Sequence, residues 1–94
     1  MAAAYGIRYV PHVWGTGIAL AAALQLLAVV PPLTPPSLKP IEPVLEFDRT
    51  EHPIRQSLLV EAIEHHNGAV AIPEGPGLGV EVNREALRQF RISE

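Results

Sequence analysis

Cysteine is absent from these 94 residues, so neither a disulfide framework nor a thiolate zinc site is possible. Basic charge is also scarce. Seven Lys and Arg stand against ten Asp and Glu, a formal net charge of -3. With no basic patch, a nucleic-acid role has no electrostatic footing. Residues 1–6 carry no positive side chain, so they do not read as the start of a secretory signal peptide. Residues 13–30 form an apolar run of membrane-spanning length, but Thr16 and Gln25 interrupt it and no aromatic or basic belt follows. The expectation is a cytoplasmic chain with no membrane and no nucleic-acid partner. A small membrane-anchored protein is the alternative that detergent-free solubility would test. No internal repeat is visible.

What is present is apolar and punctuated by proline. The apolar share is 48% and there are ten prolines, enough for the core of one small domain and too apolar for a disordered chain. The chain is organised around residues 7–30, IRYVPHVWGTGIALAAALQLLAVV. Residues 7–10 (IRYV) hold three β-formers and predict a strand that Pro11 ends. Gly15 and Gly17 permit a tight turn, and Thr16 caps a helix running to Val30, before Pro31 and Pro32. Those glycines, placed before a helix, also fit anion binding at the first N–H groups, but more often serve only the turn. The helix is apolar on every side, the pattern of an element buried on several faces. A chain this short has little with which to cover it, which marks it as a piece of something larger.

Before that strand, residues 2–5 end a helix at Gly6. After the long helix, residues 33–43 form a stiff proline-rich connector. Residues 44–47 (VLEF) predict a second strand, and Pro53 opens a short helix to Leu59. Ile54, Leu58, Leu59, Ala62 and Ile63 fit a helix continuing to about Glu64, but Asn67-Gly68 favours a hairpin between residues 60–66 and 69–72. A glycine–proline loop, PEGPGLG, covers residues 73–79. Asn83 caps a last helix, residues 84–91, with Ala86, Leu87 and Phe90 on one face.

Strand, helix and strand make a βαβ unit, whose strands run parallel through a right-handed crossover. His12 and Glu46 then lie at one rim of the sheet, where parallel α/β folds hold their chemistry. His65 and His66 are adjacent and, in a strand, face opposite ways, so no joint metal site is expected. Glu61 and Glu64 read as a solvated face.

VPHVWGTGIALAAALQ is similar to the seventh strand and following helix of acid-sugar members of the mandelate racemase/muconate lactonizing branch of the enolase superfamily. PVLEFD followed by HPIRQSLL resembles the eighth strand and its helix, and IPEGPGLGVEVNREALRQF looks like that branch's C-terminal signature. The resemblance covers nearly the whole chain in the family's order. It implies an α/β fold, a partial TIM-like barrel: residues 1–59 the last two βα units, residues 60–94 a tail that packs on a capping domain. It implies abstraction of the proton α to a carboxylate, giving an enolate stabilised by Mg2+. His12 matches the seventh-strand histidine, a general base or acid. Glu46 matches the eighth-strand glutamate that hydrogen-bonds the substrate carboxylate or enolate oxygen, and Trp14 lies in a loop that lines the pocket.

The family's second-strand lysine motif, three carboxylate metal ligands and sixth-strand aspartate are missing. The chain is expected to be the last quarter of such an enzyme, with no metal ligands and no turnover by itself. The parent's substrate would be an acid sugar or other carboxylate. An imidazole suits the base role because its charge changes near neutral pH. Glu46 would serve best protonated, in a desolvated site. The alternative is a non-enzymatic fragment that self-associates into an oligomer, burying its sheet edges and apolar helix.

Overall fold

The computed structural model describes residues 1–32 and 41–92. A 3-10 turn, Ala2–Tyr5, stops at Gly6 in the left-handed region, φ 63°, which glycine adopts without penalty. Residues 7–16 form no regular element and bend at Gly15. The first α-helix, α1, is Gly17–Ala28, with the Thr16 hydroxyl accepting from the Ala19 amide at 3.3 Å. It ends two residues before the expected Val30, at a Val29 cap.

Helix α1 buries Leu20, Ala21, Ala23, Leu24 and Leu27. Its other apolar side is open, with Leu26 58% and Val29 77% exposed. The expected burial on several faces is therefore absent among the described residues. The second helix, α2, is Pro53–Ser57, capped by His52, whose ring accepts from the Arg55 amide at 3.1 Å. It stops two residues short of the expected Leu59, and Leu58 and Leu59 turn into the core.

Residues 7–10 and 44–47 were expected as strands. Both lie outside any regular element and form no ladder. One long hydrogen bond joins the two stretches, from the Glu46 amide to the Pro11 carbonyl at 3.4 Å. A strand is made by its neighbours, and two lone segments lack the further partners a stable sheet needs. The radius of gyration is 15.7 Å, against about 12 Å for a compact domain of this length. The chain does not close on itself.

The hairpin is shorter than the sequence suggests. Strand β1 (His65–His66) pairs antiparallel with strand β2 (Ala69–Val70). Asn67 and Gly68 both have positive φ, 51° and 79°, the signature of the tight turn that Asn-Gly favours. Residues 58–60 are drawn away to another partner. Leu59 bridges Val82, the Val60 amide donates to Glu81 (2.9 Å), and the Asn83 amide donates to Leu58 (2.8 Å). This pairing spans the glycine–proline loop and had no local signal.

The loop folds back on α1. The Gln25 side-chain amide donates to the Pro73 carbonyl at 2.7 Å and reaches the Leu78 carbonyl at 3.4 Å. Gly79 has φ 72°, and a Cβ there would lie 2.7 Å from the Pro73 carbonyl group. The last helix, α3, is Arg84–Gln89, with Asn83 accepting from the Glu85 and Ala86 amides. Ala86 is buried, but Leu87 is 54% exposed, so the apolar face expected there is only partly covered. No helix among the described residues is long and apolar enough to cross a membrane.

Candidate active site

Buried Pro11 and the start of α1 fix the loop that carries His12 and Trp14. The Pro11 carbonyl also takes the Glu46 amide, which sets the two segments side by side. Alternation along residues 44–47 turns Phe47 inward and Glu46 outward. Phe47 packs its ring on His65 of β1 in an edge contact, centroids 5.4 Å apart at 75°.

His12 and Glu46 meet across 34 residues of chain, Nδ1 to Oε2, at 2.6 Å. An ionised carboxylate only accepts, so in that state Nδ1 carries the proton and Nε2 is free to accept one. Trp14, 79% exposed, lines the same open cleft, together with Asp48 and Thr50. A larger concavity lies between α1, residues 42–47 and the hairpin, but it holds no comparable pair of ionisable groups in contact. The cleft at His12 is the candidate site on chemistry, not on size.

The desolvated setting expected for Glu46 is not found. The side chains of His12 and Glu46 are 74% and 60% exposed. No described element rises over the mouth they share, so water reaches both.

A second polar cluster lies just behind the cleft and was not read from the sequence. Asp48 accepts from the Thr50 amide (2.8 Å) and from the Thr50 hydroxyl. The Arg55 guanidinium donates to Asp48 Oδ2 at 2.6 Å and, through its other arm, to the Thr50 carbonyl. The one available signal was the Asp-X-Thr spacing, a common side-chain-to-backbone turn. Hydrogen bonds from Thr50, then the Arg55 guanidinium, hold the Asp48 carboxyl down to about 2 from its ordinary 3.8.

A carboxyl lowered in the folded state adds stability above its unfolded value, and that contribution disappears as pH falls through the folded one. The contribution of Asp48 should therefore be complete above about pH 4 and lost as pH falls towards about 2. Urea midpoints measured from pH 6 downward should show wild type above Asp48→Asn, with the gap closing over that window. A gap that stays constant with pH would rule this out.

Among the described residues, no three His, Asp or Glu side chains are grouped so as to hold a metal ion. His12 and Glu46 face each other rather than a shared centre. The described residues do not fit a magnesium site.

Comparison with known proteins identifies the family. Residues 1–86 match the family model described as enolase C-terminal domain-like. The D-galactarolactone cycloisomerase of Agrobacterium fabrum is 54% identical over all 94 residues, which correspond to 25% of that enzyme. Muconate cycloisomerase 1 of Rhodococcus opacus is 52% identical over 35 residues, 37% of this chain and 9% of that one. The crystal structure of the 3,6-anhydro-D-galactonate cycloisomerase from Zobellia galactanivorans superposes with a TM-score of 0.70 at 37% identity, covering 95% of this chain and 22% of that one. The chain thus spans about a quarter or less of the length of each of these relatives.

Proposed function

Because the chain belongs to the enolase C-terminal domain-like family, we propose that it is the base-bearing part of a sugar-acid cycloisomerase. Residues 1–59 supply the last two βα units of a TIM-like barrel, and residues 60–94 supply a tail that packs on a capping domain. The observation that carries the reading is the 2.6 Å approach of His12 to Glu46, in a family whose named relatives are cycloisomerases.

His12 Nε2 removes the proton α to the substrate carboxylate. The C–H electron pair passes into the carboxylate, giving an enolate. The imidazolium so formed keeps its Nδ1–H on Glu46 Oε2. The second carboxyl oxygen of Glu46, when protonated, donates to the enolate oxygen. Trp14 covers an apolar face of the sugar. The developing dianion needs more electrophilic stabilisation than that one hydrogen bond gives, and these residues offer no other. Enolase-superfamily members generally use Mg2+; the ligands for it belong to the remainder of the barrel, which also shields the cleft. The enzyme is cytoplasmic, and the 94 residues alone have no turnover.

A second reading, self-association without catalysis, is favoured by the open apolar surface at Ile7, Leu26 and Val29. Size-exclusion mass of the purified chain decides on it: a monomer ends it.

The test of the enzymatic reading is a hybrid. This chain replaces the matching quarter of the Agrobacterium cycloisomerase, and turnover of D-galactarolactone is measured for the hybrid and for the free chain. Turnover by the hybrid and none by the chain is expected. A folded hybrid without activity would sink the proposal.

A further inference from the structure

We propose that Arg55 and Asp48 are positioning residues that hold Glu46 against His12. The inference rests on the enzymatic reading above and extends it to residues outside the reacting pair.

The backbone tie of Glu46 is weak. Its amide bond to Pro11 is 3.4 Å long, at the limit of a hydrogen bond, and its side chain stands largely in water. Two residues on, the chain is held far more firmly. Asp48 and Thr50 close a turn on themselves, and Arg55 locks it by bonding one carboxylate oxygen and one backbone carbonyl. The Arg55 side chain is only 11% exposed. A guanidinium that far out of water is a poor source of net stability and a good source of fixed geometry, because its planar fork satisfies two acceptors at set angles.

The same residue also governs the His12 side. The Arg55 carbonyl oxygen lies 2.7 Å from where a Cβ on Gly17 would stand. The first residue of α1, five after His12, therefore rests on the α2 backbone. One residue contacts both loops, by its head group after Glu46 and by its backbone after His12. The spacing of the pair is set through it.

Electrostatics points the same way. Asp48 lines the cleft with Glu46. Unpaired, it would set a second negative charge beside a site for a carboxylate substrate. Arg55 neutralises it in place.

The decisive measurement is the protonation of the His12 ring in the 94-residue chain, read from two-bond 15N–1H couplings while the ring is neutral. Wild type should carry the proton on Nδ1, and Glu46→Ala, which removes the acceptor, defines the signal of a broken pair. Asp48→Asn and Arg55→Gln should both shift to that reference. Arg55→Lys should not restore wild type, since one ammonium cannot span both acceptors. In the hybrid, the same variants should lower kcat by about tenfold to a hundredfold, with a smaller change in KM. If Arg55→Gln does not fold, the milder Asp48→Asn decides. A wild-type ring signal in Asp48→Asn overturns the proposal. An inactive wild-type hybrid defeats the enzymatic reading, while the ring measurement still decides on the clamp.

Discussion

Replacing His12 by alanine in the hybrid enzyme is expected to lower kcat by about 10²–10⁴, the usual contribution of a positioned acid or base. KM should change little, because the imidazole takes the proton only as the C–H bond breaks. The effect should belong to the side chain rather than to the fold. The His12 side chain is 74% exposed, and among the described residues its one polar partner is Glu46, so circular dichroism and melting of the 94-residue chain should be nearly unchanged. Glu46→Gln keeps a donor for the enolate oxygen and should cost less than His12→Ala. A His12→Ala hybrid within about threefold of wild-type kcat would remove the histidine from the mechanism.

The second large effect is expected at Gly17. A Cβ there would meet the Arg55 carbonyl oxygen at 2.7 Å and the Leu59 side chain at 2.8 and 2.9 Å. The leucine tip can yield; the carbonyl is backbone and cannot. Alanine improves helix propensity over glycine by at most about 1 kcal/mol, whereas overpacking typically costs about 1–3 kcal/mol. Gly17→Ala should therefore destabilise the chain in urea by a net amount on the order of 1–2 kcal/mol. Gly15→Ala is the control. Its Cβ would find only the Ala19 methyl, at an ordinary 3.7 Å, so it should be close to neutral. Equal effects at the two positions would show that the contact between α1 and α2 does not decide the outcome.

That contrast shows where sequence reasoning reaches its limit. Gly15 and Gly17 look alike as turn residues, yet only one is required, and the reason lies 38 residues away at Arg55. Features settled within a few residues were legible: the Thr16 and Asn83 caps, the Gly6 stop and the Asn67-Gly68 turn all depend on local backbone chemistry. The strands expected at 7–10 and 44–47 do not form, because a ladder depends on partners that these segments lack. Pairing of Leu59 with Val82 overrode the longer hairpin, and no local pattern announces a contact across a 22-residue loop. The meeting of His12 and Glu46 was expected from a motif resemblance and the logic of a βαβ unit, although no ladder joins their segments. Arg55 was missed because a charge on a short helix reads as solvated surface until the Asp48 turn is seen beneath it.

Gln25 gives the molecule two kinds of fastening. The tail is fixed to α1 by a carboxamide, a group that does not titrate and carries no net charge to be screened. The turn beside the mouth is fixed by ions, Arg55 on Asp48. Acid or concentrated salt should then loosen the turn at Asp48 while the tail stays docked, so that partial denaturation starts beside the candidate site.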